Sequence, residues 1–431
     1  MLNDLALFLR ANVYNYKTGI DEDVADALSV EISSIERLLN STGDCANNTV
    51  YYSNKGPNIF ETALKHVRQF GQSDHRNHGA DTRLFWALVL VDSALLQALE
   101  YSVVSETQKS PELTGISVLN ALDHAIVVGG ASRERLRWIH QMIDYIEEPM
   151  PQRIPSSRVV VDCASIAVDL RHPIKRHFAS DVDFFMFQQM VQDPQVSRPF
   201  IIENAVDQWP AFGSRPWANL EYLRAAVGHN RLVPVELGAK YTDGDWTQEL
   251  LPFGQFIDEI VYPSSVEGAG KAGYLAQHDL VSQAHRLRRD FWIPDYTQVS
   301  TGRQIAAHND GHDGLADGGV QTNVWFGPKG TVSPLHYDKS DNLFVQVVGC
   351  KYFRFYSPDE SGRVYAYPQE SMLNNTSQVD VSNPDLGRYP LFEKAQYTEC
   401  VVRPGDMLYI PPKWWHYVRS FSISASISFW F

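Results

Sequence analysis

The second half of this 431-residue chain is a series of short strand-like segments, and this pattern restricts the fold more than any other feature. The segments are rich in Val, Ile, Phe and Tyr and are bounded by Gly, Pro, Asp and Asn; examples are RPFIIEN, RLVPVEL, VQTNVWFG, SPLHYD, NLFVQVVG, KYFRFYS and DMLYIPP. So many short strands separated by turns are typical of a sandwich or jelly roll. We therefore expect a β-rich domain over residues 159–431.

The closing segment SISASISFWF alternates strictly between apolar and small polar residues. Successive side chains of a strand point to opposite faces. One face is therefore apolar and consists of Ile423, Ala425, Ile427 and Phe429. The other face carries Trp430 and the serines at positions 422, 424, 426 and 428. Because serines are too small to fill a barrel, we expect their face to border a polar cavity with Trp430 at its rim.

The first 150 residues follow a helical pattern instead. Apolar residues recur at spacings of three and four in NIFETALKHVRQF, TRLFWALVLVDSALLQALEYS and SVLNALDHAIVV, and Gly129-Gly130 would end the last of these helices. The segments resemble helix pairs, although they follow no fixed repeat period. The segment 147–158, EEPMPQRIPSSR, is rich in proline and predicts a linker. We predict an all-helical, partner-binding domain over 1–150 and an α+β fold class for the whole chain.

Charge and cysteine usage exclude several classes of protein. The formal net charge is −14, so we expect no direct binding to the DNA backbone. The four cysteines include no CxxC pair, which excludes a cysteine-rich zinc module and fits a reducing compartment. The most apolar stretch contains Asp92 and Gln97 and is expected to be too short to span a membrane. We expect a soluble nuclear or cytoplasmic protein; the sequence does not indicate its oligomeric state.

The residues His336, Asp338 and His416 form the pattern that most clearly predicts chemistry. Residues two apart on a strand share a face, so His336 and Asp338 can bind one ion together. His416 begins another strand-like segment, in PPKWWHYV. Two imidazoles and one carboxylate on one side of a metal leave its other side open, as in the non-haem Fe(II) sites that bind a co-substrate and O2. We predict a divalent metal site at these three residues.

Three other motifs are interpreted as structural. His308-Asn309-Asp310 repeats the HxD spacing, but it lies in a Gly/Asp-rich stretch that predicts a solvated loop. The glycine motif at 268–273 satisfies GxGxxG without the strand–turn–helix unit of a dinucleotide site, which indicates a flexible loop. The basic segment RHPIKRH, residues 171–177, could be a nuclear signal, but a solvated turn is the favoured interpretation.

Lys351 opens the strand-like segment KYFRFYS, among apolar and aromatic residues. A lysine in such surroundings requires an anion if it is buried. The distal carboxylate of 2-oxoglutarate would supply one, whereas an exposed strand lysine would need none. The metal-binding pattern favours the first interpretation.

Three stretches resemble the JmjC oxygenase family: WFGPKGTVSPLHYDKSDNLFVQVVGCKYFRFYSP, NTSQVDVSNPDLGRYPLFEKA and RPGDMLYIPPKWWHYVRSFSISASISFWF. The resemblance covers roughly residues 160–431 and is looser in the helical half. It implies a double-stranded β-helix of the cupin type that uses Fe(II), 2-oxoglutarate and O2. The family's metal ligands fall on His336, Asp338 and His416. Its 2-oxoglutarate contacts fall on the following residues: Tyr274, Ser333, Asn342 and Lys351.

The substrate pocket of the family corresponds to Glu236, Gln277, Trp325 and Trp430. A carboxylate, an amide and two indoles suit a guanidinium, although the two tryptophans could also be core residues. The resemblance therefore implies an oxygenase that hydroxylates a protein side chain, and we favour an arginyl residue of a partner protein. Demethylation of a histone methyl-lysine in chromatin is the alternative. A hypothesis of another class is a non-catalytic cupin-like scaffold.

Overall fold

The structure is a computed structural model that describes residues 1–16, 28–30, 32–33, 59–72, 80–104, 114–147, 163, 166, 168–193, 197–238, 246–262, 273–299, 319–371 and 373–431. The chain divides into two compact units. One consists mainly of Met1–Met150 and includes Asn230–Leu232, and the other holds the rest of the described chain. Most of the predicted linker, the HxD motif at 308–310 and nearly all of the glycine motif lie outside the described residues.

The first unit is helical. Its helices are α1 (Leu2–Tyr16), α2 (Ile59–Gln72), α3 (Ala80–Val104), α4 (Gly115–Val127) and α5 (Arg133–Ile146). The buried apolar residues of these helices form one hydrophobic cluster, with Leu5, Leu64, Leu95, Leu122 and Ile139 among its members. Helix α5 has the same amphipathic spacing as the other helices and was not among the predicted segments.

Helix α3 is the long central helix of this unit. By length and composition its stretch Leu84–Ser102 could cross a membrane, so the expectation that it is too short was wrong. However, 67% of this stretch is buried inside the protein, as in a core helix. The Asp92 carboxylate within it is 1% exposed and accepts a hydrogen bond from Arg135 Nε at 2.7 Å. Pairing with this guanidinium explains how the core tolerates a charge.

Both ends of α4 follow from the local sequence. Thr114 and Ser117 form a capping box, in which each side chain accepts a hydrogen bond from the other residue's backbone N–H. Beyond the other end, Gly130 has a φ of 62°, a conformation that glycine adopts without strain. The predicted end at Gly129-Gly130 is confirmed.

The second unit is built mainly from strands. Their bounds are β1 (Lys175–Phe178), β2 (Phe200–Glu203), β3 (Leu232–Leu237), β4 (Thr247–Pro252), β5 (Gly273–His278), β6 (Gln321–Gly327), β7 (Val332–His336), β8 (Asn342–Val348), β9 (Lys351–Tyr356), β10 (Tyr397–Val402), β11 (Met407–Ile410), β12 (Trp415–Ser420) and β13 (Ser424–Trp430). Short helices lie between them: α6 (Phe184–Gln192), α7 (Leu220–Val227), α8 (Phe253–Phe256) and α9 (Leu280–Gln283).

The strands form two sheets. The large sheet has the order β1-β2-β11-β8-β13-β6-β5-β3-β4, and the small sheet has the order β10-β9-β12-β7. From β6 onward the chain passes repeatedly between the sheets and pairs antiparallel within each. This is the topology of a double-stranded β-helix, and the expected cupin-type jelly roll is confirmed.

Two apolar clusters cover the two faces of the small sheet. The inner cluster draws on strands of both sheets and includes Phe344, Phe353, Phe355 and Val418. The outer cluster covers the opposite face and is completed by the segment that follows β9; its members include Leu335, Tyr352, Val379 and Tyr417. Alternating residues of β9 therefore belong to different clusters, as the strand period requires.

The serine face of β13 differs from the expectation. Ser424, Ser426 and Ser428 are fully buried, and Trp430 is 7% exposed, so it does not form an open rim. Ser426 Oγ donates to Gln346 Oε1 at 2.9 Å. The serines therefore lie in a polar layer of the interior, where their hydroxyl groups have hydrogen-bond partners.

The basic segment 171–177 was wrongly predicted as a solvated turn. Lys175–Phe178 form β1, which pairs parallel with β2. Arg176 forms ion pairs with Glu203 and, through Nη2 at 2.7 Å, with Asp406. Backbone pairing with β2 makes this segment a strand, and the carboxylates that pair with Arg176 lie elsewhere in the sequence, so the segment alone does not contain that information.

Candidate metal centre

Two strands of the small sheet bring His336 and His416 together. His336 ends β7, His416 lies near the start of β12, and the two residues are direct partners in the antiparallel register. Their ring centroids are 4.2 Å apart. The register between these strands therefore joins two histidines that are far apart in sequence.

An irregularity in β7 determines which side chains share the site. His416 pairs with His336, whereas Val418 pairs with Ser333. A step of three residues along β7 therefore lies opposite a step of two residues along β12. Such a bulge reverses the alternation of the strand. Because Val418 belongs to the inner cluster, both Ser333 and His336 face the interior between the sheets.

Asp338 completes the group just beyond the end of β7. Its Oδ1 lies 3.9 Å from His336 Nε2, and its Oδ2 lies 3.7 Å from His416 Nε2. One ligand atom from each of the three residues lies within 4.8 Å of the others. The Lys413 N–H donates to the carbonyl oxygen of Asp338 at 2.8 Å and holds this loop against the segment before β12.

Hydrogen bonds to carbonyl groups fix the tautomers of both histidines. His336 Nδ1 lies 2.7 Å from the Pro334 carbonyl oxygen, and His416 Nδ1 lies 3.0 Å from that of Trp414. Because a carbonyl oxygen only accepts, each Nδ1 carries the proton and each Nε2 offers its lone pair to the centre. Burial and the neighbouring His336 lower the pKa of His416 to about 4, so it is a neutral ligand at physiological pH. The donor set fits a divalent metal ion.

Lys351 is the second unusual group of the interior. It is 1% exposed, and its Nζ donates to the Tyr274 hydroxyl at 3.0 Å. Its Nζ also lies 5.5 Å from the centre of the Tyr274 ring and 5.3 Å from that of Phe344. Among the described residues it forms no salt bridge, and burial lowers its pKa to about 7. A buried amine without a counterion is a favourable position for an anion.

The remaining predicted 2-oxoglutarate contacts face the same interior. Asn342 is 4% exposed, and its Oδ1 has no hydrogen-bond partner among the residues that the structure describes. Lys351 and Phe355 share the inner face of β9, and Phe355 pairs with His416. Four residues along a strand correspond to roughly 13 Å, so the lysine and the metal-ligand group lie at two ends of one interior face.

The four predicted substrate residues are only partly brought together. Glu236 pairs with Tyr274 in the register of β3 and β5, and the Tyr274 ring lies 6.1 Å from that of Trp325. The Trp325 Nε1–H donates to Ser428 Oγ at 2.9 Å, which orients the indole. Gln277 is exposed where β5 departs from regular pairing, and Trp430 is buried beside Asn342.

Burial raises the pKa of Glu236, and the Trp246 indole beside it opposes this shift. Burial also raises the pKa of Tyr274, with a further contribution from the negative charge of Glu236. The Glu236 carboxylate therefore acts electrostatically on the same phenol that holds Lys351. A cation beside Glu236 would relieve part of its burial cost.

Asn323 was not among the predicted site residues. It is 1% exposed, and within the described part of the chain its Nδ2 has no hydrogen-bond partner. It pairs with Ser428 on the face that also carries Trp325. Its position two residues before Trp325 in TNVWFG is the signal that could have identified it.

A cavity of about 240 Å³ lies on the opposite face of β7, away from the metal ligands. Its lining includes Pro334, Leu335, Val379 and Tyr417, three of which belong to or border the outer cluster. It is therefore separate from the interior group of His336, Asp338 and His416.

Comparison with known proteins agrees with this geometry. The family model described as Cupin-like domain matches residues 186–431. "Lysine-specific demethylase 8" of Danio rerio is 46% identical over 245 residues, which cover 57% of this chain and 55% of that protein. "Jumonji C domain-containing protein 5" of Drosophila melanogaster is 33% identical over 298 residues, 67% of each chain.

A more distant similarity extends to "Bifunctional peptidase and (3S)-lysyl hydroxylase JMJD7" of Homo sapiens, at 26% identity over 263 residues. These residues cover 54% of this chain and 77% of that protein. By contrast, the match to the Danio rerio protein spans only about half the length of that relative.

Proposed function

Because this chain belongs to the cupin-like JmjC family, we propose that it is an Fe(II)- and 2-oxoglutarate-dependent oxygenase that hydroxylates an arginyl side chain of a partner protein. Bound Fe(II) and 2-oxoglutarate would together supply the oxidising power to insert an oxygen atom from O2 into a C–H bond. The observation that carries the proposal is the convergence of His336, Asp338 and His416 on one point.

The protein's own residues would hold the metal in a fixed protonation state. Both imidazoles present Nε2 because their Nδ1–H groups are bound to carbonyl oxygens. The carboxylate of Asp338 would supply one negative charge, so the complex of these ligands with a divalent ion keeps a positive charge. A net positive centre attracts an anionic co-substrate.

Lys351 supports 2-oxoglutarate, a dicarboxylate, as that co-substrate. Its ammonium group is buried, and the Tyr274 hydroxyl is its hydrogen-bond partner. A dicarboxylate would place one carboxylate at the metal and the other at Lys351. The ammonium of Lys351 would then be neutralised, and Tyr274 would remain to orient it.

Glu236 supports an arginyl substrate. Its carboxylate is partly buried and acts electrostatically on Tyr274, whose ring lies 6.1 Å from that of Trp325. A guanidinium can bind a carboxylate through two N–H groups and stack on an indole. The relatives' names support two neighbouring possibilities, because one is called a lysyl hydroxylase and another a lysine-specific demethylase. Demethylation would follow from the same oxidation applied to a methyl group on nitrogen.

The proposal is tested by measuring succinate formation from 2-oxoglutarate in the presence of Fe(II). We expect His336→Ala to abolish turnover, because the metal would lose one of its ligands. His172→Ala, at an exposed histidine, is the matched control and should retain activity. Equal turnover by the wild type and His336→Ala would refute the oxygenase assignment and favour a non-catalytic scaffold.

The substrate class is tested separately by mass spectrometry of arginyl and methyl-lysyl peptides after incubation with the active protein. Arginine hydroxylation would add one oxygen atom to an arginine-containing fragment. Removal of a methyl group from lysine, without any change at arginine, would replace the arginyl assignment with a demethylase.

A further inference from the structure

Two cysteines that the proposed reaction does not use contact each other on the outer side of the small sheet. Cys350 lies in the turn between β8 and β9 and belongs to the outer cluster, and Cys163 packs against the same cluster. The Cys163 thiol forms a hydrogen bond with the Cys350 sulfur. The two residues are not joined by a disulfide in this structure.

The backbone around Cys350 is held firmly in place. The Cys350 N–H donates to Ser422 Oγ at 3.0 Å, and the Phe421 N–H donates to the Cys350 carbonyl oxygen at 3.0 Å. Gly349 has a φ of 73°, and a Cβ added there would lie 1.9 Å from the Ile423 carbonyl oxygen. The turn therefore fixes the position of the Cys350 sulfur.

The two thiols differ in exposure, and the pKa of the buried thiol is shifted. Cys163 is half-buried and accessible to small solutes, whereas Cys350 is fully buried. The hydrogen bond from Cys163 lowers the pKa of Cys350 to about 7, and Ser422 and the charge of Arg403 act in the same direction against burial. Cys400 provides a contrast, because burial in the inner cluster raises the pKa of its thiol.

We propose that Cys163 and Cys350 form a peroxide-sensitive thiol pair that is converted to a disulfide. Hydrogen peroxide is the oxidant: the Cys163 sulfur attacks one oxygen as its thiol proton leaves, the O–O bond breaks, and the departing hydroxide takes up that proton, which gives a sulfenic acid and one water. The Cys350 sulfur then attacks the Cys163 sulfur, forming the S–S bond, and the displaced hydroxide takes up the proton of Cys350 to give a second water. Together the two thiols lose two electrons, and one hydrogen peroxide gains them and is reduced to two waters.

The disulfide would attach the chain at Cys163 to the turn that immediately precedes Lys351. A protein kept in a reducing compartment would carry it transiently, as redox-responsive disulfides there usually are. The chemical step depends on the two thiols alone and stands whether or not the proposed oxygenase function holds.

The test treats the folded full-length chain with hydrogen peroxide, blocks remaining thiols with N-ethylmaleimide and maps non-reduced peptides by mass spectrometry. We expect a linked peptide containing Cys163 and Cys350, lighter by two hydrogen atoms than its reduced halves and separated by dithiothreitol. Cys400 should stay unlinked. In urea, where the fold no longer selects partners, the same treatment should give mixed pairings that include Cys45.

Two variants sharpen the result. Cys400→Ser, which leaves the proposed pair intact, should form the link as the wild type does. Cys163→Ser should form no intramolecular link to Cys350 in the folded chain. The proposal is overturned if peroxide oxidises Cys163 in the folded protein to sulfinic acid without the link, or if Cys350 pairs with Cys45 instead.

Discussion

Replacing Lys351 with methionine should make the empty protein more stable while removing its ability to bind a dicarboxylate. Lys351 is 1% exposed, and burial lowers its pKa from 10.5 to about 7. At 1.36 kcal/mol per pKa unit, this corresponds to roughly 5 kcal/mol of destabilisation at a pH where the amine is charged in both states. Loss of the hydrogen bond to Tyr274 offsets about 1 kcal/mol. The expected net gain for Lys351→Met is therefore about 3–4 kcal/mol at pH 6.

The pH dependence of this gain follows from the direction of the shift. The folded amine loses its proton near pH 7, whereas the unfolded amine keeps it until about 10.5, so folding releases a proton between these values. The stability of the wild type thus rises with pH in this range. The advantage of Lys351→Met should shrink by about 3 kcal/mol between pH 6 and pH 9.

Urea unfolding of the full chain, freed of dicarboxylate, measures this advantage at both pH values. Lys329→Met, at an exposed turn lysine, is the matched control and should change stability by less than about 0.5 kcal/mol. With metal present, 2-oxoglutarate should stabilise the wild type against urea but not Lys351→Met. A methionine variant that is less stable than the wild type at pH 6, by an amount independent of pH, would refute the account of Lys351 as a buried amine without a counterion.

Two further predictions concern carboxylates. Glu236→Gln should raise the KM for an arginyl peptide by roughly 10-fold or more, because one charged hydrogen-bond acceptor is lost, and should leave the KM for 2-oxoglutarate within about twofold. If the wild type and Glu236→Gln have the same KM for the peptide, Glu236 does not bind the substrate. Asp290 is fully buried, and burial raises its pKa to about 6 against the opposing effects of Trp217, Tyr222 and Arg215. Its contribution to stability is present at low pH and is lost as the pH rises through 6, so relative to Asp290→Asn the wild type should lose about 2 kcal/mol between pH 4.5 and pH 7. Urea unfolding measures this, and parallel pH profiles of the two proteins would contradict it.

Local sequence patterns were sufficient to predict much of the β-rich unit. The strict alternation from Ser422 to Phe429 predicted β13, and the bounded segments around Leu343 and Phe353 predicted β8 and β9. Strand period depends on neighbouring residues only, which explains why these elements can be read from the chain. The expected jelly-roll fold is confirmed by the sheet topology and by the family match.

Register and burial could not be predicted in the same way. The bulge that turns Ser333 and His336 to one side exists only in the pairing of β7 with β12. Arg176 belongs to a sheet because β1 pairs with β2, and its ion-pair partner Asp406 is distant in sequence. Such features depend on which strand becomes the neighbour, and no local pattern specifies that choice.

The predicted site residues also differ in whether the residues themselves or the family resemblance indicated them. The HxD spacing placed His336 and Asp338 on one face from the residues alone, and the strand-like segment PPKWWHYV offered His416 as the third ligand before the resemblance to a family was considered. The structure brings these three together, and their role as metal ligands remains a prediction. The same holds for Lys351 and Tyr274 as contacts of a co-substrate and for the roles of Gln277 and Trp430.

The most direct test of the central claim is a crystal structure of the full chain grown without oxygen in the presence of Fe(II) and 2-oxoglutarate. We expect one ion bound by His336 Nε2, His416 Nε2 and an Asp338 carboxylate oxygen. We also expect one carboxylate of 2-oxoglutarate at that ion and the other at Lys351 Nζ. An ion bound elsewhere, or a dicarboxylate whose far end does not contact Lys351, would contradict the account.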